Sequence, residues 1–110
     1  MTRKEVADMI AEVGIPTAYY QFTKKTAVPC PFICFYYDRS NDLYADNSNY
    51  QTIDNLIIEL YTKEKDFEIE QTLESVLRSH EMVWSREETP LDDEQMYMEI
   101  YNLNVIIEEN

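Results

Sequence analysis

For chemistry, the chain offers one histidine, two cysteines and a large excess of carboxylates. His80 is the sole imidazole, and a general base needs a nucleophile or substrate proton within reach. It ends an apolar helical stripe, where packing and attraction to the helix C-terminal dipole are its expected work. Cys30 and Cys34 are spaced C-x-x-x-C. On one strand that spacing puts both on the same face, roughly 13 Å apart, too far for a disulfide. They read as two small buried hydrophobes, and with one histidine they fall short of a zinc ligand set. Ser40, Ser48, Ser75, Ser79 and Ser85 lack a G-x-S-x-G elbow and a triad partner. Asp92-Asp93-Glu94 has oxygen ligands for a divalent cation, but no glycine-bearing loop surrounds it. A solvated acidic turn is the expectation there. Gly14 is the only glycine, which excludes glycine-rich phosphate loops and dinucleotide turns. No catalytic, cofactor-binding or metal-ligating residue is therefore predicted, and an enzyme is not expected.

Charge narrows the function classes further. The net charge of −13 is unevenly spread. Residues 1–37 carry four bases against three acids, and residues 38–110 carry nineteen acids against five bases. Phosphate binding depends on Lys and Arg, so such a chain repels nucleic acid. A hydrophobic share of 45 % and a length of 110 residues predict one folded domain over 1–110. The N-terminus lacks an apolar leader core, and no apolar run approaches the ~20 residues of a membrane helix. A soluble protein without a membrane span is expected, and its free thiols suit a reducing compartment. Nine tyrosines are the other excess. Their apolar bodies and polar tips suit strands, half-buried surfaces and protein interfaces.

The elements that must position these residues follow from periodicity. Tyr50–Thr62 has the residue types of a buried strand, with Leu56, Ile58 and Leu60 on one face and Ile53, Ile57 and Tyr61 on the other. Asp66 can cap the helix that follows, Phe67–His80, whose stripe is Ile69, Leu73, Val76, Leu77 and His80. Thr2–Val13 predicts another helix, with Val6, Met9, Ile10 and Val13 on one stripe and Gly14 at its C-terminal end. Thr17–Thr23 reads as a short strand or extended arm. Pro29–Tyr37 reads as a central strand, apolar on both faces. Asp38–Asn49 is a polar loop, the long tip of an antiparallel hairpin. Met82–Thr89 predicts a charged edge strand, Thr89–Glu94 a turn, and Gln95–Ile107 a last strand bulged or bent near Asn102–Asn104. The expected fold class is α+β: a mostly antiparallel sheet of four to five strands with two helices packed against it.

Several of these residues together resemble a known family. They are Pro31-Phe32-Ile33 through Tyr36, then Ala45-Asp46-Asn47 and Tyr50, then Ile58-Glu59-Leu60-Tyr61-Thr62 with Lys65-Asp66. Glu70, Leu77, Trp84, Glu87 or Glu88, Glu94, Met96, Glu99 and Ile100 continue the likeness, which spans roughly residues 1–107. The pattern resembles the small tail-terminator (tail completion) proteins of long-tailed phages and prophages of Gram-positive bacteria. The resemblance implies structural work rather than catalysis: a ring, usually a hexamer, that caps the tail tube and joins it to the head connector. It implies no cofactor and places the protein in the virion, at the head–tail joint, after assembly in the host cytoplasm. It implies as partners further copies of the chain, the major tail tube protein and the head connector protein, with DNA passing the lumen unbound. An acidic lumen would repel DNA rather than hold it. The expected subunit contacts are the aromatic arm Tyr19, Tyr20 and Phe22 and the hairpin tip Leu43, Tyr44, Asp46 and Tyr50. Two further readings stay open: another head–tail connector or adaptor, and a small acidic DNA-mimic inhibitor.

Overall fold

Thr2 opens the first helix. Its hydroxyl accepts the Glu5 amide while the Glu5 carboxylate accepts the Thr2 amide, a reciprocal capping box. Helix α1 spans Arg3–Ala11, and Gly14 follows at φ 88°, a left-handed angle that favours glycine. The computed structural model describes residues 1–22, 28–38, 52–91 and 96–108. Beyond α1 come β1 (Thr17–Tyr19), β2 (Phe32–Asp38), β3 (Thr52–Thr62), α2 (Phe67–Ser79), β4 (Trp84–Leu91) and β5 (Met96–Ile107). Asp66 caps α2 by accepting the Ile69 amide at 3.1 Å.

The strands form one five-stranded sheet in the order β1-β2-β3-β5-β4. Only β1–β2 is parallel, so the fold is α+β with a mostly antiparallel sheet. β2 and β3 pair antiparallel, as the hairpin reading requires. β3 and β4 both run antiparallel to β5, so they are parallel to each other, and α2 carries the chain between them. β5 then returns into the gap, which makes a split βαβ unit.

Both helices lie on one face of the sheet. Leu56, Ile58 and Leu60 of β3 meet Val6, Met9 and Ile10 of α1 and Leu73 and Leu77 of α2, all with no exposed surface. Ile33, Phe35, Tyr101, Leu103, Val105 and Ile107 complete this core. The alternation expected in β3 is thus the alternation observed. On the helix-free face stand Phe32, Cys34 and Tyr36 of β2, Ile53, Ile57, Glu59 and Tyr61 of β3, and Met98, Ile100 and Ile106 of β5. Cross-strand neighbours Ile53 and Ile106 are 52 % and 43 % exposed there, an apolar pair turned to solvent.

Three expectations need correction. β5 carries no bulge: its register with β3 runs unbroken from Thr52↔Ile107 to Thr62↔Tyr97. Pairing on both sides holds β5 straight, because a bulge would break two ladders. β4 continues to Leu91 instead of turning at Thr89; Pro90 is tolerated because β4 is an edge strand. β2 starts at Phe32, so Cys30 precedes the strand, on a cis bond to Pro31, and only Cys34 lies within it. Neither cysteine is in a disulfide, and the Cys30 thiol lies 3.1 Å from the Met96 sulfur. Among the described residues no helix is long and apolar enough to cross a membrane.

Candidate functional site

β1 and β2 are parallel neighbours at one edge of the sheet. The helices occupy one face. Directly after β1 the described chain turns to the other, and Tyr20 starts the turn. Its φ of 73° is left-handed, a conformation that costs an L side chain roughly 1–2 kcal/mol. A hydrogen bond from its amide to the Phe35 carbonyl at 2.7 Å holds it there. The turn splits the aromatic arm. Tyr19 stays on the helix side, edge-on to Phe35 with ring centres 5.5 Å apart. Tyr20 lies 5.5 Å from the Tyr36 ring, and Phe22 meets Phe32 edge-on at 5.3 Å. Phe32 in turn stacks on Tyr61 at 4.8 Å.

These rings wall a cup of about 480 Å³ on the helix-free face, with Cys34 and Glu59 also lining it. The Tyr61 hydroxyl donates to Glu59 Oε1 at 2.9 Å, and the Tyr36 hydroxyl makes a long 3.5 Å contact with Oε2. Burial first, and the Glu59 charge second, push the Tyr61 and Tyr36 phenols up, so both remain protonated donors. Burial likewise raises the Cys34 thiol, which keeps it an unreactive S–H.

A second polar site sits on the other side of the sheet. Lys65, just before the α2 cap, places its ammonium among three carboxylates. It lies 2.9 Å from Glu70, 2.9 Å from Glu99, and in contact with Glu88. Glu70 and Glu99 are almost wholly buried, with side chains 4 % and 2 % exposed. Arg86 adds a second cation, 2.8 Å from Glu74 and 3.4 Å from Glu70. The Tyr101 hydroxyl donates to Glu74 at 2.9 Å. Burial pulls the Lys65 ammonium down, but its bonds to Glu88, Glu99 and Glu70 outweigh that and hold it above its ordinary value. Burial, and then a hydrogen bond to Glu88, push the Glu99 carboxyl up to about 7. Glu88 shifts the other way, held down by hydrogen bonds from Glu99 and Lys65. Of the four carboxylates facing the two cations, Glu99 is the one whose proton is held most tightly. Carboxylate oxygens of Glu70, Glu88 and Glu99 lie within 4.8 Å of one another, close enough for a metal. Lys65 already fills that space, so a divalent ion would have to expel it. The arrangement is an ion network built on two buried carboxylates, Glu70 and Glu99.

The interface residues expected from sequence divide accordingly. Tyr19 and Tyr20 stand on the β1 edge, 55 % and 63 % exposed, while Phe22 is half-buried in the cup wall. Leu43, Tyr44, Asp46 and Tyr50 lie outside the described residues, as do Asp92-Asp93-Glu94. His80 is not purely a packing residue: its Nε2 lies 2.7 Å from Glu12, tying the C-terminal ends of the two helices together. The Lys65 network was not foreseen as a cluster, although Lys65, Glu70, Glu88 and Glu99 are all residues that carry the family resemblance. The signal was a lysine directly before a helix cap, with a glutamate one turn inside the helix. No protein-family model matches the chain, and no curated protein matches it either.

Proposed function

We propose that this chain is a structural subunit that closes the end of a phage tail tube as a ring and joins the tail to the head connector. The observation that carries this reading is that the two edges of the sheet are unlike. β1, at one edge, bears the exposed Tyr19, with the exposed Tyr20 directly after it; β4, at the other, bears Arg86, Glu87 and Glu88. Units set side by side would bring one edge against the other, a head-to-tail contact that closes into a ring when the rotation allows. Tyrosine enrichment on the first edge suits such a contact. The surplus of acid suits a channel that DNA passes without adhering. A structural role also fits the polar chemistry, since the buried carboxylates Glu70 and Glu99 are engaged by Lys65 and Arg86. The same gathering weighs against a DNA mimic, whose acids would be spaced along a surface like phosphates.

Light scattering and negative-stain microscopy test the proposal, on the protein alone and mixed with tubes of the major tail tube protein. The expected result is rings seated at one end of each tube. Replacing Tyr19 and Tyr20 together by alanine should abolish the rings and leave a cooperatively folded monomer. A wild-type protein that stays monomeric and leaves tube ends bare would refute the reading.

A further inference from the structure

We infer that the aromatic cup on the helix-free face is a binding site for a cationic side chain, a lysine or arginine presented by a partner protein. Five rings line it, from Tyr20, Phe22, Phe32, Tyr36 and Tyr61, and its one charged group is the Glu59 carboxylate. The face of an aromatic ring carries negative potential, which attracts ammonium and guanidinium groups. The two phenol hydroxyls do not offset this. Both lie against Glu59, the Tyr61 hydroxyl donating to it at 2.9 Å, so toward a ligand the cup offers aromatic rings and a carboxylate. An anionic guest would meet the Glu59 charge, and a neutral one would gain only from the apolar walls.

Glu59 also has no cation of its own among the described residues. The two cations that neutralise carboxylates on β4, β5 and α2, Lys65 and Arg86, are on the opposite face of the sheet. The volume of about 480 Å³ holds a long basic side chain with part of its flanking backbone. The field of a chain at −13 favours the approach of a basic segment over a neutral one. The Met96 thioether, also in the wall, suits the aliphatic stem that such a side chain carries behind its charge. The inference does not rest on the ring reading: Tyr20 borders both surfaces, but cation binding is read on the isolated chain and would hold for a monomer.

The test is an NMR titration of the isotope-labelled full chain, following the amides of Cys34 and Glu59. Probes are the capped tripeptides acetyl-Gly-Arg-Gly-amide and acetyl-Gly-Lys-Gly-amide, the neutral citrulline analogue of the first, and tetramethylammonium chloride. The basic tripeptides should give saturable shifts at the cup. The citrulline peptide should bind weaker by about tenfold or more, as loss of the charge requires. Glu59→Gln should weaken the basic peptides by a similar factor, and higher salt should weaken them too. Equal binding of the citrulline peptide would overturn the inference, as would the absence of cup shifts with either basic peptide. Tetramethylammonium binding as tightly as the peptides would overturn the assignment to a side chain, since that ion has no N–H to give Glu59. The peptide comparison uses only wild-type protein, so a variant that fails to fold does not weaken the test.

Discussion

Replacing Glu99 by glutamine should leave the protein as stable as before in mild acid and make it more stable above neutral pH. Glu99 is 2 % exposed and its carboxyl is raised from 4.5 to about 7. The folded protein therefore holds this proton more tightly than the unfolded chain does. Its contribution to stability is fully present below 4.5 and is lost as pH rises through about 7. At about 1.36 kcal/mol per pH unit, the whole interval amounts to about 3 kcal/mol. Glu88 has the opposite sign: its depressed carboxyl stabilises the fold above 4.5 and stops doing so as pH falls. The two windows do not overlap, so the slope between pH 5 and 7 isolates Glu99. Glutamine keeps the shape and the N–H that a protonated acid would give Glu88, and keeps an oxygen for Lys65. Urea unfolding of both proteins at pH 5, 6, 7 and 8 measures the difference. The variant should match the wild type within about 1 kcal/mol at pH 5. It should gain roughly 2–3 kcal/mol on it by pH 8. A gap that does not change with pH would show that the fold does not raise the Glu99 carboxyl, and the reasoning would fall.

Other outcomes follow from the same structure. Lys65→Met leaves Glu70 and Glu99 facing only Arg86, so urea unfolding at pH 8 should show a loss of about 3 kcal/mol. That loss should shrink at pH 5, where Glu99 is protonated. Asp66→Ala removes the cap from α2 and should cost about 1 kcal/mol, with faster amide exchange at Ile69 than in the wild type.

Much of the fold was legible because local rules and global packing agree in this chain. Asp66 before an apolar stripe predicts α2, and a hydrogen bond from Ile69 makes it the cap. Alternation in β3 predicts a core face and an outer face, and Leu56, Ile58 and Leu60 are the buried set. The end of β4 was misread because Pro90 signals a turn unless one knows that its strand lies at an edge, which depends on strand order. The bulge in β5 was expected from length alone, and it is absent because β3 is nearly as long and matches it residue for residue. The Lys65 network was illegible for a different reason. Its members come from a loop, a helix and two strands, and only the split βαβ path brings them together. The cup is likewise a product of topology. Its aromatic residues were visible as strand formers, but a recess needs Tyr20 and Phe22 laid over Tyr36 and Phe32 on the helix-free face. Tyr101 shows the limit of composition: it has the expected parity, yet it is wholly buried and spends its hydroxyl on Glu74.

The place of β5 has a consequence for how the chain is made. It is the last strand to leave the ribosome, yet it sits between two strands translated earlier. Until it arrives, β3 has an open flank of eleven residues, and Leu56, Ile58 and Leu60 lack the cover of Tyr101, Leu103 and Val105. Co-translational folding therefore cannot settle the sheet piece by piece. A transcript truncated before Met96 should yield a polypeptide with a long sticky border, fit for inclusion bodies or proteolysis rather than partial function.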